Sequence, residues 1–421
     1  MRKKICKTLF LVPQLLLFSC IFGPERDNPV DPAGLTYQGY ETLDTDGDGK
    51  KDSVLYVSPN GDDDNPGFID TPVKTLNKAV FLAEKYKITE VYAEAGTYNN
   101  VKFSVSNYPS AVIGGWNSSF TEKTGSNSVF DGSGSITGGG VIQIINFRSF
   151  TFENIDVTGG YNGIYISDVS STSPNGDLTF KGNIHNNSEN GIECEISATS
   201  YKIDIKIQGN IFNNNSAGLF TSHYYLGKVD ITGDIYNNQK GGINLGGSFD
   251  FKFNGNVYNN KTTDARGGGG ICIWNNTGDV SITGKIYNNI STNPNPSQTQ
   301  NGGGISFYNP EGDGNYNINC EIYSNHCDGP GGGIYFGCSY NRNVTINLKP
   351  GTIIYGNNAG GNGGGIYADA DHGSSSLNNY GMIAGNTSGG PGGGVCTNGF
   401  PHFHNHGMVT NNSPDDCNDM Y

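Results

Sequence analysis

The chain has 421 residues, of which 64 are glycine, 34% are hydrophobic and only 15% are charged. Such a composition is typical of low-complexity disorder, but apolar residues recur at regular positions and argue against it. The formal net charge of -14 makes nucleic acid an unfavourable partner, because its phosphate backbone is also negative.

Residues 1–19 have the pattern of an export signal. A basic start, "MRKK", precedes the apolar run "TLFLVPQLLLF", which is short for a membrane span. The end of this segment, "LFSC", resembles a bacterial lipoprotein signal: Leu17, Ser19 and Cys20 match, whereas Phe18 is bulkier than the pattern prefers. The resemblance implies an exported chain, anchored at the outer membrane or cell surface by a lipid on Cys20. The alternative is an ordinary signal peptide that ends near a cysteine. No later stretch is long and apolar enough to span a membrane.

Residues 20–53 are predicted to be a linker between the lipid anchor and the folded part. They contain the acidic loop "DTDGDGKKD", which resembles the calcium loops of thrombospondin type 3 repeats and dockerins. Alternating carboxylates can converge on one cation, so a structural Ca²⁺ is expected there. The full EF-hand pattern fails because its twelfth position is Leu55, and a solvated acidic linker is the alternative. The expected ligands are Asp44, Asp46, Asp48 and Asp52.

Residues 54–130 are predicted to form an N-terminal cap and the first coils. The periodicity indicates a short strand, a polar turn, an amphipathic helix over residues 76–86 and a second strand at residues 91–98. Leu76, Val80, Ala83 and Tyr86 share one helical stripe. The segment "YVSPNGDDDNPG…TPVKTLNKA…VYAEAGTY" resembles the opening of exported bacterial pectate-lyase-like chains. That resemblance implies a small α/β cap on a right-handed parallel β-helix.

Residues 131–412 carry two alternating motifs. One is a glycine motif, as in "GGGISFY" at Gly302 and "GGGIYFG" at Gly331; the other is an asparagine motif, as in "VSITGKIYNN". The centre of the second motif recurs after 22 residues (Gly233 to Gly255) and up to 36 residues (Gly284 to Cys320). A constant part with variable loops favours solenoid coils. The aligned centres are Gly182, Gly209, Gly233, Gly255, Gly284, Cys320, Gly351, Gly381 and Gly407.

Alternation after the last glycine predicts which side chains point inward. The first and third residues, such as Ile305 and Phe307, are nearly all apolar, so they should face the interior. The glycines should supply positive φ at the corner before the strand. The "NN" pairs should turn another corner, and their amides could bond from coil to coil. The expected fold class is an all-β, right-handed, single-stranded parallel β-helix, with residues 413–421 as a tail.

The outward positions provide the candidate site residues. Aromatic faces spaced along a groove suit sugar rings, although aromatic residues also fit any pleated surface. The candidate ligand-binding residues are Trp274, Tyr308, Tyr335 and Tyr367. Glu193 and Glu195 lie on one strand face and are weak candidates for a catalytic carboxylate pair. A lyase would need a basic residue beside carboxylates, and no arginine lies in these columns.

Further side-chain columns have structural interpretations. A stacked aromatic ladder is expected along His185, Phe212, Tyr236, Tyr258, Tyr287 and Tyr323. His402, His404 and His406 alternate on one strand side, where they could bind a transition metal or be incidental surface residues. Cys320, Cys327 and Cys338 are close enough in sequence to pair, with no connectivity defined.

The expected function is that of a lipid-anchored extracellular β-helix for surface binding or adhesion, directed at a polysaccharide or a ligand on another cell. The repeats resemble those of polymorphic outer-membrane proteins. The alternative is a polysaccharide lyase or glycoside hydrolase of the pectate-lyase-like superfamily. Fold alone does not separate the two.

Overall fold

The computed structural model describes residues 54–134, 138–145, 148–167, 176–195, 202–222, 225–292, 301–338, 342–370, 375–399 and 402–420. The predicted signal peptide, the lipidation site at Cys20 and the acidic loop of Asp44, Asp46, Asp48 and Asp52 lie outside these residues. The described chain is nearly all β and winds as a parallel β-helix, as its repeats predict. Successive coils pair through parallel strands, for example Ile243–Tyr258 with Val280–Tyr287.

Each coil contributes strands to three faces, and the later coils also to a short corner sheet. The glycine face comprises Phe103–Val105, Gly140–Ile144, Asn162–Ile166, Ile192–Cys194, Leu219–Thr221, Ile271–Trp274, Ile305–Tyr308, Ile334–Cys338, Ile366–Ala370, Val395–Asn398 and Cys417–Met420. The long face comprises Val54–Val57, Glu90–Glu94, Ala111–Trp116, Ile203–Gln208, Tyr225–Thr232, Thr345–Leu348, Ser376–Asn379 and His402–Asn405. The ladder face comprises Thr97–Tyr98, Ser128–Asp131, Ile211–Phe212, Ile235–Tyr236, Ile353–Tyr355, Met382–Ala384 and Met408–Thr410. Longer strands run from one face into the next: Phe150–Thr158, Gly176–His185, Ile243–Tyr258, Val280–Tyr287 and Asn315–Tyr323. The corner sheet comprises Lys261–Thr262, Ile290–Ser291, His326–Cys327, Asn358–Ala359 and Thr387–Ser388.

The N-terminal cap contains a single helix, α1, Leu76–Tyr86. Thr75 begins it by accepting a hydrogen bond from the Lys78 amide, and Lys87 ends it in the left-handed conformation. The predicted stripe of Leu76, Val80, Ala83 and Tyr86 is buried. It packs against the first strands and closes the hydrophobic core at that end.

The interior consists of stacked aliphatic and aromatic columns, which confirms the predicted alternation. Ile271, Ile305 and Ile366 are at most 1% exposed, and each pairs with its counterpart in the next coil. One coil cannot bury such a row by itself, whereas stacked coils can. Burial of each large apolar side chain contributes about 1.5–3 kcal/mol.

Beside this core runs an asparagine ladder, with one asparagine per coil that comes in most coils from the "NN" pair. Each side-chain amide donates to the carbonyl oxygen of the next asparagine at 2.9–3.0 Å. The ladder runs through Asn187, Asn214, Asn238, Asn260, Asn289, Asn325, Asn357, Asn386 and Asn412, and Asn412 donates to Asp416. The residue before each ladder asparagine, such as Asn259 at φ 55°, adopts the left-handed conformation.

The glycine motif makes room for this ladder. A Cβ on Gly304 would lie 2.7 Å from the carbonyl oxygen of Gly333 and 3.0 Å from the Asn325 amide nitrogen. The first glycine of each triplet, such as Gly302 at φ 65°, turns the chain back over its own strand. The glycine motif and the asparagine motif therefore pack directly against each other, and the triple glycine has a structural role rather than that of a phosphate-binding loop.

The register corrects one aligned position. Glu321 pairs with Ile353, so Thr352, not Gly351, follows the column of Cys320. The predicted tail, residues 413–421, contains a strand, because Cys417–Met420 pairs with Val395–Asn398.

Candidate functional site

The outward side of the glycine face carries two columns of side chains. Parallel register fixes both columns. The first contains Glu193, Phe220, Asn244, Cys272, Ser306, Tyr335, Tyr367 and Cys396. The second contains Gly246, Trp274, Tyr308, Gly337, Asp369 and Asn398.

The four predicted ligand-binding aromatics do not form one open face. Tyr335 and Tyr367 belong to the first column, are 9% and 7% exposed, and pack with Cys396 in a small cluster. Their ring centroids are 5.8 Å apart. The first glycine of each triplet lies against the backbone of this column, Gly331 beside the Cα of Tyr335 and Gly363 beside the amide nitrogen of Tyr367, while the ring of Tyr335 lies against Gly337. The faces of these two rings are therefore covered in this structure.

Trp274 and Tyr308 lie in the second column and are paired across neighbouring coils. Tyr308 is exposed, whereas Trp274 is half-buried and its indole N–H donates to Asn244 Oδ1 at 2.9 Å. The ring of Trp274 lies against Gly246, where a Cβ would overlap it. This hydrogen bond and this glycine fix the orientation of the indole.

Arg266 stacks on the same indole, with its guanidinium carbon 4.3 Å from the ring centroid. Arg266 also forms a two-point contact with Asp264, at 2.7 Å and 3.0 Å. Burial opposes the charge of Asp264, but hydrogen bonds from Arg266 and its positive charge outweigh burial and lower the pKa of Asp264. The pair keeps both groups charged beside the ring.

A cleft of about 330 Å³ lies next to the indole and contains one of the predicted carboxylates. Its lining includes Asn190, Glu193, Phe220, Lys240, Asn244 and Asp264. Because Asn244 holds the Trp274 indole, the cleft and the ring form one continuous surface, here named the glycine-face cleft.

Glu193 has an environment that favours its neutral form. Burial, followed by the charge of Glu195, raises the pKa of Glu193, while hydrogen bonds from Asn162 and Asn190 oppose the rise. The Asn162 amide donates to Glu193 at 2.6 Å. Glu195 accepts from the hydroxyl of Tyr165 at 2.6 Å. The two carboxylates therefore have different partners although they share one strand face.

Sequence reasoning identified Trp274 and Glu193 separately and missed the residues that connect them. Phe220 and Asn244 occupy the coils between them. Asp264 and Arg266 come from the loop "TDARGGGG" just before the glycine motif. The close i, i+2 spacing of opposite charges there was the available signal.

Other expected sites gain no support from the described residues. His402, His404 and His406 are exposed and stacked at 5.9 and 6.5 Å. Within the described ranges, however, no three His, Cys, Asp or Glu side chains are arranged to hold a metal ion. None of the cysteines from Cys194 to Cys417, all described, forms a disulfide. Burial raises the pKa of Cys272 to about 12, so this thiol stays protonated.

Helices in the described part of the chain are all too short or too polar to cross a membrane. Comparison with known proteins adds no family: no family pattern, curated protein or solved structure matches this chain. The fold therefore defines the class, a parallel β-helix protein, and function has to be argued from the site.

Proposed function

We propose that this protein is an exported, lipid-anchored binding module for carbohydrate, and that the glycine-face cleft is its binding site. The single observation that carries the proposal is the junction of a fixed indole with amide and carboxylate groups: Trp274, Asn244 and Glu193. Rigid aromatic rings bind the apolar faces of sugars at low ordering cost. Amide and carboxylate oxygens accept hydrogen bonds from sugar hydroxyls.

The charges of the cleft favour a neutral sugar. Glu193 and Asp264 line it, and the guanidinium of Arg266 is already paired with Asp264. Lys240 lies 3.6 Å from Glu189 and is largely exposed. Acidic sugars would meet these carboxylates without an uncommitted arginine, so we expect a neutral polysaccharide or cell-surface glycan as the partner.

The rest of the proposal concerns the residues before the solenoid. The lipobox-like end at Cys20 supports anchoring to the membrane, and the loop with Asp44, Asp46, Asp48 and Asp52 supports one structural Ca²⁺. Ordering of this loop would set the angle between the anchor and the cleft. The resemblance to pectate-lyase-like and polymorphic outer-membrane proteins supports exposure at the cell surface.

A glycan array tests the binding proposal, with the full-length lipoprotein in detergent and the Trp274→Ala variant beside it. We expect at least tenfold weaker binding of the variant with an unchanged melting temperature. Tyr380→Ala is the matched control, because Tyr380 is an exposed aromatic on another face. If no glycan binds, or if Trp274→Ala binds as well as the parent, the cleft is not a carbohydrate site.

Hydrolysis is a second candidate function, favoured by one observation. A carboxyl with a raised pKa beside a second carboxylate is the combination that a general acid needs, and Glu193 has Glu195 next to it on the strand face. Incubation of the array-selected glycan with the protein should then release new reducing ends, and Glu193→Gln should abolish their release. Intact glycan after prolonged incubation would restrict the site to binding.

A further inference from the structure

The aromatic ladder is a stack of rings on the outer side of the ladder face. Its rings are His185, Phe212, Tyr236, Tyr258, Tyr287, Tyr323 and Tyr355. The ring centroids are 4.7–4.9 Å apart, and the planes differ by at most 12°. Six rings were predicted from the sequence and Tyr355 is the seventh.

The ladder stops inside the solenoid rather than at its end. The residue that follows Tyr355 in the column is Ala384, and Thr410 follows Ala384. Ala384 has only a methyl group where every preceding coil down to His185 has a ring. Among the described residues, no ring therefore lies against the face of Tyr355 toward Ala384, and Tyr355 is 38% exposed.

The neighbouring column changes at the same coils. Its residues at the left-handed corner are Asn186, Asn213, Asn237, Asn259, Asn288 and Ser324, then Gly356 and Gly385 at the two coils of the break, and then Asn411. An added Cβ at either glycine would meet no atom within 4 Å. The rim beside Ala384 is thus open as well.

The column on the other side changes from polar to apolar. Lys285 and Glu321, which form an ion pair at 3.3 Å, are followed by Ile353, Met382 and Met408. Met408 is 56% exposed. Ile353 and Met382 are half-buried. Apolar residues that reach the surface in a cluster mark contact surfaces, and thioethers bind aromatic rings favourably.

These three changes coincide, and together they define a ring slot: Tyr355 as its wall, Ala384 as its floor, Gly356 and Gly385 as its rim, and the Ile353–Met382–Met408 column along its side. We infer that the ring slot binds an aromatic side chain of a partner polypeptide. The stack itself specifies the occupant, because a flat ring about 4.8 Å below Tyr355 would continue the spacing of the ladder.

The apolar column favours a polypeptide over a sugar. Ile353, Met382 and Met408 have no hydrogen-bonding side-chain groups to receive the hydroxyls of a glycan. The column spans two coil steps, roughly 10 Å at the strand spacing of a sheet. An extended peptide rises about 3.3 Å per residue, so a ring and an aliphatic residue two or three positions away would cover both parts.

Tyr355, the wall of the ring slot, is a neutral stacking partner. Burial, with the charges of nearby Tyr323 and Glu321, raises the pKa of Tyr355, so its hydroxyl stays protonated at physiological pH. A neutral phenol and three aliphatic side chains present an apolar surface without an unpaired charge. The site is separate from the glycine-face cleft and does not depend on carbohydrate binding.

Methyl NMR of the full chain, labelled at alanine methyls, can test the slot directly. The probe is the peptide acetyl-Gly-Trp-Gly-amide, with acetyl-Gly-Leu-Gly-amide as its matched control. A ring stacked over the floor should move the Ala384 methyl resonance upfield, and the leucine peptide should bind at least tenfold more weakly. Ala384→Ser identifies the resonance by its loss.

Three variants and one further probe complete the test. Ala384→Tyr should extend the ladder, keep or raise the melting temperature, and weaken binding of the tryptophan peptide at least tenfold. Tyr355→Ala should weaken this binding to a similar extent, whereas Trp274→Ala should leave it unchanged. A third probe, methyl β-glucopyranoside, should leave the Ala384 methyl unmoved. Absence of a shift with the tryptophan peptide, an equal shift with the glycoside, or full binding by Ala384→Tyr would overturn the inference.

Discussion

The asparagine ladder and the aromatic ladder repeat at the same coil spacing, two residues apart, yet they end differently. The asparagine ladder continues to Asn412 and Asp416, whereas the aromatic ladder stops at Tyr355. Asn260 is completely buried, while Tyr258 is only half-buried. A buried amide without partners is costly, but a surface ring can be replaced by a methyl group. From Asn187 to Asn412, the buried hydrogen bond is therefore the feature that each coil repeats.

The largest effect should come from the interior column, which sets the scale for both ladders. Ile271→Asp places an unpaired charge in a site that is 0% exposed. We therefore expect the free energy of unfolding to fall by more than about 4 kcal/mol. Ile271→Val, its control, should cost only about 1 kcal/mol. Chemical denaturation measures both. A soluble Ile271→Asp protein with the parent midpoint would refute the assigned register.

Asn260→Ala tests the buried ladder. It removes the acceptor for the Asn238 backbone and side-chain amides, so we expect the free energy of unfolding to fall by about 3 kcal/mol. The adjacent Asn259→Gly is the control, since residue 259 is exposed at φ 55° and glycine tolerates that conformation. Equal midpoints for the two variants would show that the buried amides are not what the coils require.

Tyr258→Ala tests the surface ladder at the same coil. It removes two stacking contacts, with ring centroids 4.8 and 4.9 Å apart. We expect the free energy of unfolding to fall by about 1–2 kcal/mol, less than for Asn260→Ala. Tyr258→Phe keeps the rings and should stay close to the parent in thermal unfolding. If Tyr258→Ala cost more than Asn260→Ala, the order of importance proposed for the ladders would be reversed.

The smallest effect should come from Glu193, which is half-buried in the glycine-face cleft. The pKa of Glu193 is raised in the folded state. The contribution of this residue to the free energy of unfolding is therefore fully present below its unfolded-state pKa and is lost as pH rises through its folded-state pKa. Glu193→Gln should therefore stabilise the protein at pH 7 by at most about 1 kcal/mol and have little effect near pH 4. Thermal unfolding from pH 4 to pH 8 measures the difference. A stabilisation that does not depend on pH would contradict the raised pKa.

Much of the fold could be predicted from the sequence because inward and outward positions alternate with the strand period. The inward isoleucines, the helix at Leu76–Tyr86 and the aromatic stack all follow from local patterns. The one-residue slip at Gly351 was missed because "KPGT" supplies a glycine next to the aligned position. Only the pairing of Glu321 with Ile353 corrects it.

The candidate site was less predictable, because exposure depends on loops as well as on strand direction. Tyr335 and Tyr308 both point out of the solenoid, but Tyr335 is buried against Gly337 and Tyr367 whereas Tyr308 is exposed. Likewise, the partners of Trp274 are Asn244, one coil earlier, and Arg266, on a loop of variable sequence. No period in the sequence connects these three residues.

The asparagine ladder has a consequence for how such a chain can change its length. Each asparagine receives a hydrogen bond from the preceding coil and gives one to the next with the same geometry, so the two surfaces of a coil are complementary to each other. The segment between Asn238 and Asn260, separated by 22 residues, is therefore an interchangeable unit. Duplication or deletion of such a unit in the gene would preserve the asparagine ladder, and the solenoid could lengthen or shorten in whole turns while its loops diverge.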